Sequence, residues 1–266
     1  MRLKDRVAIV TGGGTGIGEA IAKVFAAKGA TVVLASRSLG RLEGVVHRIE
    51  KSGGKAKAVQ TDIGDEKQVQ RMVAQTVSDF GKIDILVNNA AATEERVAEV
   101  SEMTLELWNK SISINLTGTM LCSREVLKHM IPRKSGSIIN VSSIAGVKGS
   151  PGRSPYVVTK WAINGLTETM AIEVGKYNIR VNSLSPAATD TGMFSSIIDT
   201  LAKPLNISHD EMMTKILRHY SLRRIVKPDE VGTTALFLAS DDSSGITGQN
   251  LIVSCGFHML DPDEVM

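Results

Sequence analysis

The sequence predicts an α/β protein with one doubly wound, seven-stranded parallel sheet, and three observations lead to this expectation. Short apolar runs rich in β-branched residues recur along the chain, and amphipathic patterns of helical length separate them. The 266 residues are enough to bury a full core. Because strands covered by helices on both faces read as continuous apolar runs, the sheet is expected to be parallel. The regular spacing of the runs predicts a single domain over residues 1–266.

The strands are expected at Val7–Thr11, Thr31–Ala35, Ala56–Gln60, Ile83–Val87, Ser137–Val141, Arg180–Leu184 and Gln249–Val253. Helical patterns between them cover Glu66–Phe80, Thr104–Ile131, Pro155–Lys176 and Asp229–Ala239. In sheets of this kind, ligands bind outside the carboxyl ends of the strands. Candidate functional residues are therefore sought where each strand ends.

The first strand ends in the glycine-rich stretch TGGGTGIG, and a helical pattern follows it. A helix N-terminus offers unpaired N–H groups and a positive dipole end, which attract phosphate. The alternative is a glycine-rich loop without a ligand, but a strand before it and a helix after it favour a dinucleotide pyrophosphate. Glu19 and Ala20 follow in place of Gly-Lys-Ser/Thr, which excludes an ATPase-type phosphate loop. The cofactor-binding residues expected in this turn are Gly12, Thr15, Gly16, Ile17 and Gly18.

The end of the second strand predicts the choice of cofactor. An acidic residue there selects NAD by binding the ribose, whereas an arginine accommodates the 2′-phosphate of NADP. Ser36 and Arg37 occupy this place, and the nearest carboxylate, Glu43, lies further along the chain. We therefore expect NADP(H) in preference to NAD(H), although Arg37 as a solvated charge at the start of a helix is the alternative.

The stretch YVVTK places Tyr156 and Lys160 on one face of a helix, and an adjacent ammonium lowers the pKa of a phenol from about 10. The fifth strand ends at Ser142 and Ser143, where a hydroxyl can polarise a carbonyl oxygen. Asn115 lies inside a helical pattern, where its amide needs a partner. Together these residues predict a proton-transfer site, whereas each one alone fits an ordinary structural role.

A long stretch from Ala187 to Lys227 lacks strand character and carries short helical patterns at Phe194–Leu201 and Asp210–His219. Connections of this length in compact domains are often functional lids. We expect residues 187–227 to form a substrate flap. Its selecting side chains would be generic apolar residues such as Met193, Phe194, Ile197 and Leu201.

These motifs together resemble the short-chain dehydrogenase/reductase family, in its shorter type, over residues 5–258. The family's Thr-Gly-x-x-x-Gly-x-Gly is similar to the stretch from Thr11 to Gly18, and its Tyr-x-x-x-Lys matches Tyr156 and Lys160. Its active-site serine and asparagine fall on Ser143 and Asn115. The resemblance implies a Rossmann-like fold with a Ser-Tyr-Lys-Asn site.

The resemblance also implies further cofactor contacts. The family's adenine-binding aspartate falls on Asp62, beside Ile63, and its Asn-Asn-Ala-Gly appears as NNAA, so that Asn89 matches and Ala91 replaces the glycine. Thr189 falls where the nicotinamide amide is expected to be held. The usual Pro-Gly after the sixth strand reads Pro-Ala, and the glycine pair near the last strand reads SCGF. These departures concern backbone detail.

The implied reaction is hydride transfer between a nicotinamide ring and a carbon that carries a hydroxyl or carbonyl group of a small-molecule substrate. By this resemblance Tyr156 exchanges the proton, Lys160 binds the ribose and keeps Tyr156 acidic, Ser143 orients the oxygen, and Asn115 holds a water that links Lys160 to solvent. An alternative is a 3-oxoacyl thioester reductase, since Arg153 and the basic run from His219 to Arg224 could meet an acidic substrate.

Two other classes of protein remain as alternatives. A longer epimerase or dehydratase would have tighter glycine spacing and a large C-terminal domain, and a non-catalytic NADPH-binding regulator would not need the four catalytic positions together. The family resemblance and the helix pattern also predict a homotetramer. The apolar residues behind that expectation are Leu121, Val126, Trp161, Ile163, Leu166 and Met170.

Composition excludes several functions. A net charge of +3 is too small to indicate nucleic-acid binding, and no apolar run reaches the about 18 residues of a membrane span. The N-terminus leads directly into a strand, so we expect no signal peptide and a cytoplasmic location. Cys122 and Cys255 have neither metal-ligand nor redox spacing, which predicts reduced thiols and no metal site.

Overall fold

The computed structural model describes residues 1–92 and 98–258, except for the side chain of Met193. Seven strands within these ranges form one parallel sheet in the order β3-β2-β1-β4-β5-β6-β7. This is the Rossmann strand order extended by one strand, and it confirms the predicted fold class. The strands are β1 (Val7–Thr11), β2 (Thr31–Ser36), β3 (Lys55–Gln60), β4 (Ile85–Asn88), β5 (Gly136–Val141), β6 (Ile179–Pro186) and β7 (Asn250–Val253).

Helices cover both faces of the sheet. They are α1 (Gly16–Ala27), α2 (Leu39–Lys51), α3 (Glu66–Phe80), α4 (Leu105–Ser111), α5 (Gly118–Arg133), α6 (Ser154–Val174), α7 (Gly192–Ala202), α8 (His209–Leu217) and α9 (Pro228–Ala239). One core cluster joins α1, α2 and α9 to the sheet, and a second joins α3, α5 and α6 to its other face. Adjacent residues of β1 serve opposite clusters, since Val10 belongs to the first and Ile9 to the second.

A buried carboxylate fixes the amino ends of the central strands, at the opposite end of the sheet from the cleft. Asp84 is 2% exposed and accepts hydrogen bonds from the Val7 backbone N–H (2.9 Å) and from the Arg133 guanidinium (2.6 Å). Lys82 Nζ lies 3.1 Å from the same carboxylate. Burial raises the pKa of Asp84, but these bonds outweigh burial and hold that pKa below its ordinary value. The fourth strand therefore begins at Ile85, just after this anchor, two residues later than expected.

The expectation of one continuous helix over Thr104–Ile131 is wrong in one respect. A six-residue π-helical segment, Ile112–Thr117, separates α4 from α5. A π segment inserts a residue into the helical repeat, and such segments often occur at functional sites. It contains Asn115, whose side chain points to the backbone beyond β4.

Most of the apolar residues behind the expectation of a homotetramer are buried within the chain. Four of the six are at most 6% exposed: Leu121, Val126, Ile163 and Met170. They are buried within one chain because α5 and α6 pack against the sheet and against neighbouring helical segments. Trp161, by contrast, is 52% exposed. The apolar surface available to a second copy is therefore smaller than the pattern indicated.

Residues 187–227 form two helices, α7 and α8, with a small apolar cluster of their own around Ile198, Ala202 and Met212. A single bridge between Thr189 and Val226 brings the two ends of the segment together. No helix in the described ranges is long and apolar enough to cross a membrane. Both cysteines are unpaired, and burial raises the pKa of Cys122 to about 12.

Candidate active site

A cleft of ≈ 1510 Å³ opens at the carboxyl ends of the strands. This exceeds the about 300–1,000 Å³ that is typical of a pocket for one small ligand, so a dinucleotide and a substrate can both fit. Almost every predicted site residue lines it: Gly12, Thr15, Gly16, Ile17, Gly18, Ser36, Arg37, Asp62, Ile63, Asn89, Ser143, Tyr156, Lys160 and Thr189. Asn115 is the exception, and its neighbour Ile114 lines the cleft instead.

The glycine-rich turn has the backbone that its sequence indicated. Gly12 and Gly16 have φ values of +66° and +56°, which side chains other than glycine rarely adopt. A Cβ at Gly12 would lie 2.8 Å from the Ala90 Cα atom, and a Cβ at Gly18 would overlap the Gly12 carbonyl oxygen. The turn is thus closed against the start of α1 and the end of β4. It leaves the N-terminus of α1 facing the cleft, which suits a pyrophosphate.

Thr11 and Asn89 hold this turn in place. Thr11 Oγ1 accepts hydrogen bonds from the backbone N–H groups of Asn89 (3.0 Å) and Ala90 (3.1 Å). The Asn89 amide donates to the carbonyl oxygens of Thr11 (2.9 Å) and Gly12 (3.2 Å). Both donor positions of Asn89 are therefore used within the protein, where they hold the turn.

The end of β2 carries two arginines instead of one. Arg37 is exposed and lines the cleft beside Ser36, and its backbone oxygen accepts a bond from Gln60 Nε2 (2.9 Å). Arg41, one turn into α2, lines the same end of the cleft. Sequence reasoning missed Arg41, although its spacing of four residues from Arg37 was a usable signal. Both arginine side chains are exposed and line the same end of the cleft.

Asp62 lies beyond the carboxyl end of β3. Its Oδ1 accepts a hydrogen bond from the Gly64 N–H (2.9 Å), and its own N–H donates to Gln68 Oε1 (2.9 Å). Ile63 is buried, and Gly118 at the start of α5 packs directly against it. This loop is therefore fixed at the same end of the cleft as Arg37, where an adenine would lie.

Lys160 and Tyr156 come together as their spacing predicted. Lys160 Nζ lies 5.4 Å from the centre of the Tyr156 ring and donates a hydrogen bond to the Val141 backbone oxygen (2.8 Å). The lysine is 3% exposed, and burial lowers its pKa to about 8. The half-buried phenol faces the cleft.

The two serines after β5 differ in their surroundings. The Ser142 hydroxyl is buried and donates to the Lys160 backbone oxygen (2.9 Å). Ser143 Oγ accepts a bond from the Ala145 N–H (3.1 Å), which uses an acceptor position and leaves the hydroxyl proton for donation. The geometry therefore favours Ser143 over Ser142 as the residue that can donate to a substrate oxygen.

Asn115 anchors the segment that follows β4. Its Oδ1 accepts from the Ala92 N–H (2.7 Å), and its Nδ2 donates to the Ala92 oxygen (3.2 Å) and to Thr159 Oγ1 (3.2 Å). Thr159 Oγ1 in turn donates to the Tyr156 backbone oxygen (2.8 Å). The side chain thus links the π segment to the helix that carries Tyr156. The expected water between Asn115 and Lys160 stays a prediction.

Two basic residues singled out by the sequence have different environments. The Arg153 Cζ atom lies 4.5 Å from the centre of the Tyr156 ring, and both residues line the cleft. Arg224 instead forms a two-pronged ion pair with Glu230 (2.9 and 2.7 Å), which ties the end of the flap to α9. Arg224 therefore has a carboxylate partner within the protein, and its contact with an acidic substrate stays a prediction.

Comparison with known proteins identifies the family. A family model described as enoyl-(acyl carrier protein) reductase matches residues 12–258. The 3-oxoacyl-acyl-carrier-protein reductase FabG of Thermotoga maritima is 36% identical over 256 residues, which cover 96% of this chain and 99% of that protein. The chain belongs to the short-chain dehydrogenase/reductase family. It is an oxidoreductase of that family.

Solved structures of other short-chain dehydrogenases/reductases have the same fold but carry different cofactors. NAD⁺-bound xylitol dehydrogenase is 32% identical, with a TM-score of 0.91 over 96% of this chain and 100% of that one. A variant of actinorhodin polyketide ketoreductase with NADPH is 28% identical, with the same TM-score over 95% and 98%. The likeness shows a nicotinamide dinucleotide site and leaves open which dinucleotide this short-chain dehydrogenase/reductase prefers.

One end of the cleft in this short-chain dehydrogenase/reductase lies between the loop after β5 and residues 187–227. Phe194 and Ile197 of α7 line the cleft, together with Phe257 near the C-terminus. Leu201, also expected to help select the substrate, is 44% exposed and is not among the residues that line the cleft, so its role stays a prediction. An apolar wall with a few polar groups is typical of a small-molecule site.

Proposed function

We propose that this chain is an NADP(H)-dependent ketoreductase that interconverts a ketone and a secondary alcohol. The observation that carries the proposal is the convergence of Ser143, Tyr156 and Lys160 on the same cleft as the glycine-rich turn. Such a constellation serves proton transfer beside a hydride donor, and a protein that only senses the cofactor has no use for it.

The residues present fit a dinucleotide. The closed glycine turn and the free N-terminus of α1 suit a pyrophosphate, and Asp62 and Ile63 suit the adenine. Thr189 lines the cleft at the end of β6, where it would hold the nicotinamide amide. When bound, the cofactor supplies the hydride donor or acceptor.

Arg37 supports NADP(H) in preference to NAD(H). A guanidinium can give two parallel hydrogen bonds to a phosphate, and Arg41 adds a second cation at the same end of the cleft. Ser36 provides a hydroxyl beside them. The only carboxylate among the described residues that line the cleft is Asp62, which follows β3, so no acid stands at the end of β2 to bind the ribose.

In ketone reduction, the Ser143 hydroxyl would donate to the carbonyl oxygen and polarise it, and the Tyr156 phenol would give its proton to that oxygen as the carbon gains the hydride. Lys160 would favour the resulting phenolate and hold the nicotinamide ribose. Asn115 would keep Ala92 and the start of α6 in place. Alcohol oxidation runs the same steps in reverse.

The proposal extends to the domain organisation and to the assembly. Residues 1–266 act as one domain in which residues 187–227 form the substrate flap, since α7 lines the cleft. A homotetramer is supported by apolar side chains that α4 and α6 leave exposed: Leu105 (72%), Val158 (41%), Trp161 (52%) and Ile172 (83%). Light scattering at micromolar concentration tests it, and a monomer would contradict it.

A substrate screen tests the proposed activity. Ketones, 3-oxoacyl thioesters and enoyl thioesters would each be offered with NADPH and with NADH, and the loss of reduced-cofactor absorbance recorded. We expect turnover of a carbonyl compound with NADPH. Preference for a 3-oxoacyl thioester would favour the alternative of a fatty-acid-type reductase. Binding of NADPH without turnover of any compound would favour a regulator.

A further inference from the structure

Tyr156 lies between two cations. It is the third residue of α6, and Arg153 immediately precedes that helix. The Arg153 Cζ atom lies 4.5 Å from the ring centre, and Lys160 Nζ lies 5.4 Å from it. The N-terminal end of α6 adds a partial positive charge near the same ring. Three positive sources therefore act on one phenol.

Among the residues that the structure describes, the other charged groups near this site lie away from the phenol. Lys148, on the loop between β5 and α6, points its ammonium at the Phe257 ring, 5.4 Å from the centre. Glu106 and Lys110 of α4, which packs against α6, are exposed and outside the cleft. The cleft's other charged side chains, Arg37, Arg41 and Asp62, follow β2 and β3 and belong to the adenosine end.

The two side chains, Lys160 and Arg153, differ in the pH range over which they keep their positive charge. Burial lowers the pKa of Lys160 to about 8, so its charge is lost as the pH rises through the alkaline range. A guanidinium stays protonated throughout that range. Arg153 is thus the permanent positive charge beside the phenol.

We propose that Arg153 is a positioning residue for proton transfer, which stabilises the phenolate form of Tyr156 through its guanidinium over the ring. The proposal rests on the proposed function, in which Tyr156 carries the proton. During oxidation of an alcohol, the substrate O–H bond breaks and its proton passes to the Tyr156 oxygen, while the C–H bond breaks and its electron pair leaves as hydride to the oxidised nicotinamide dinucleotide. A nearby cation lowers the pH at which the phenolate is ready to accept.

A spectroscopic titration of the protein without cofactor tests this directly. The chain has three tyrosines, so subtracting the tyrosinate absorbance of Tyr156→Phe from that of the parent protein isolates Tyr156. Burial raises the pKa of Tyr220 to about 12, which separates it further. The same subtraction in an Arg153→Met background reports the effect of removing the charge while keeping an apolar side chain of similar length.

We expect the midpoint of Tyr156 to rise by about one pH unit or more in Arg153→Met, because an opposite charge within 4–6 Å shifts a pKa by about 1–3 units. Arg153→Lys should restore most of the shift. Lys176→Met is the matched control, since its ammonium lies 5.2 Å from the Tyr177 ring, in the turn that follows the other end of the same helix. It should leave the Tyr156 midpoint unchanged.

Kinetics provide the second readout. In Arg153→Met, the pH at the midpoint of the rise in alcohol oxidation rate should increase by the same amount as the spectroscopic midpoint of Tyr156. Cofactor affinity should stay unchanged. An unmoved midpoint in a variant with parental circular dichroism would overturn the proposal, as would a change confined to the KM of anionic substrates. A Tyr156→Phe enzyme that still turns over would refute the proposed function, yet the spectroscopic shift could still be measured.

Discussion

Lys160 donates a hydrogen bond from Nζ to the backbone oxygen of Val141, 2.8 Å away, in a position that is only 3% exposed. This bond ties the first turns of α6 to the end of β5. Tyr156 lies in the first turn of α6, and Ser143 follows the end of β5 by two residues. The bond therefore holds the start of α6, with Tyr156, against the end of β5, close to Ser143.

Replacing Lys160 with Met should abolish turnover and weaken cofactor binding without loss of stability at pH 7. The parent protein holds a lysine whose pKa falls from 10.5 to about 8 on folding, at a cost of the order of 3 kcal/mol at neutral pH. The unfolded state binds more protons between these values, so the parent's free energy of unfolding should rise relative to the variant from about pH 8 to 10.5. Urea titrations across that range measure it, and a falling difference would contradict the expectation.

Tyr156→Phe keeps the ring and its packing but removes the transferable proton. NADPH should bind with parental affinity, measured by fluorescence or calorimetry, while turnover nearly vanishes. In the parent enzyme, the rate of alcohol oxidation should rise with pH. The midpoint of that rise should lie below the pKa of free tyrosine, about 10. Substantial turnover by the variant would mean that another group carries the proton.

Ser143→Ala should lower kcat by roughly 10²–10³, equivalent to about 2.7–4 kcal/mol, as for the loss of one oxyanion donor. Cofactor affinity should stay the same, because the hydroxyl faces the substrate. Ser142→Ala is the matched variant: its hydroxyl bonds the Lys160 backbone oxygen, so stability should fall by about 1 kcal/mol. Equal kinetic losses in both variants would remove the distinction between them.

Arg37→Asp should weaken NADPH binding at least about tenfold more than NADH binding, since hydrogen bonds to a charged group contribute about 1.5–3 kcal/mol. Lys51→Asp makes the same charge change at an exposed position of α2 outside the cleft and controls for the general field. Competitive binding assays with both cofactors provide the ratio. A parent enzyme that already prefers NADH would show that the assignment is wrong.

Asp84→Asn should reduce the free energy of unfolding at pH 7 by about 3 kcal/mol, because the cations around this buried carboxylate lose their partner. The folded-state pKa of Asp84 lies below 3.8, so its contribution is complete above that value and is lost as pH falls through the lower folded value. The parent and variant should therefore converge in stability in acid. Thermal denaturation at several pH values tests this convergence.

The strands and the candidate site could be predicted because each corresponds to a short local pattern in the sequence. A buried parallel strand is an apolar run, and the Tyr156 and Lys160 pair needs only helical spacing. The cleft then brings together residues from separate motifs because the carboxyl ends of parallel strands meet at one edge.

Features that depend on distant partners were not predictable in this way. Asn115 contacts the backbone of Ala92, 23 residues earlier, and nothing in the local pattern indicates that partner. Apolar periodicity also could not show that Leu121 and Ile163 are both buried within one chain, since it reports how apolar a face is and not what covers it. Arg224 resembled a free cation because its ion pair forms with the next helix.

The π-helical segment Ile112–Thr117 constrains the length of this part of the chain against insertion and deletion. Each residue of an α-helix advances the next by about 100°, so removing one residue here would restore a regular helix and turn everything after it. Either Asn115 would lose its hydrogen bonds to the Ala92 backbone, or the buried face of α5, which includes Cys122 and Val126, would rotate out of the core. Substitutions can be absorbed along this helix, whereas a change of a single residue in its length cannot.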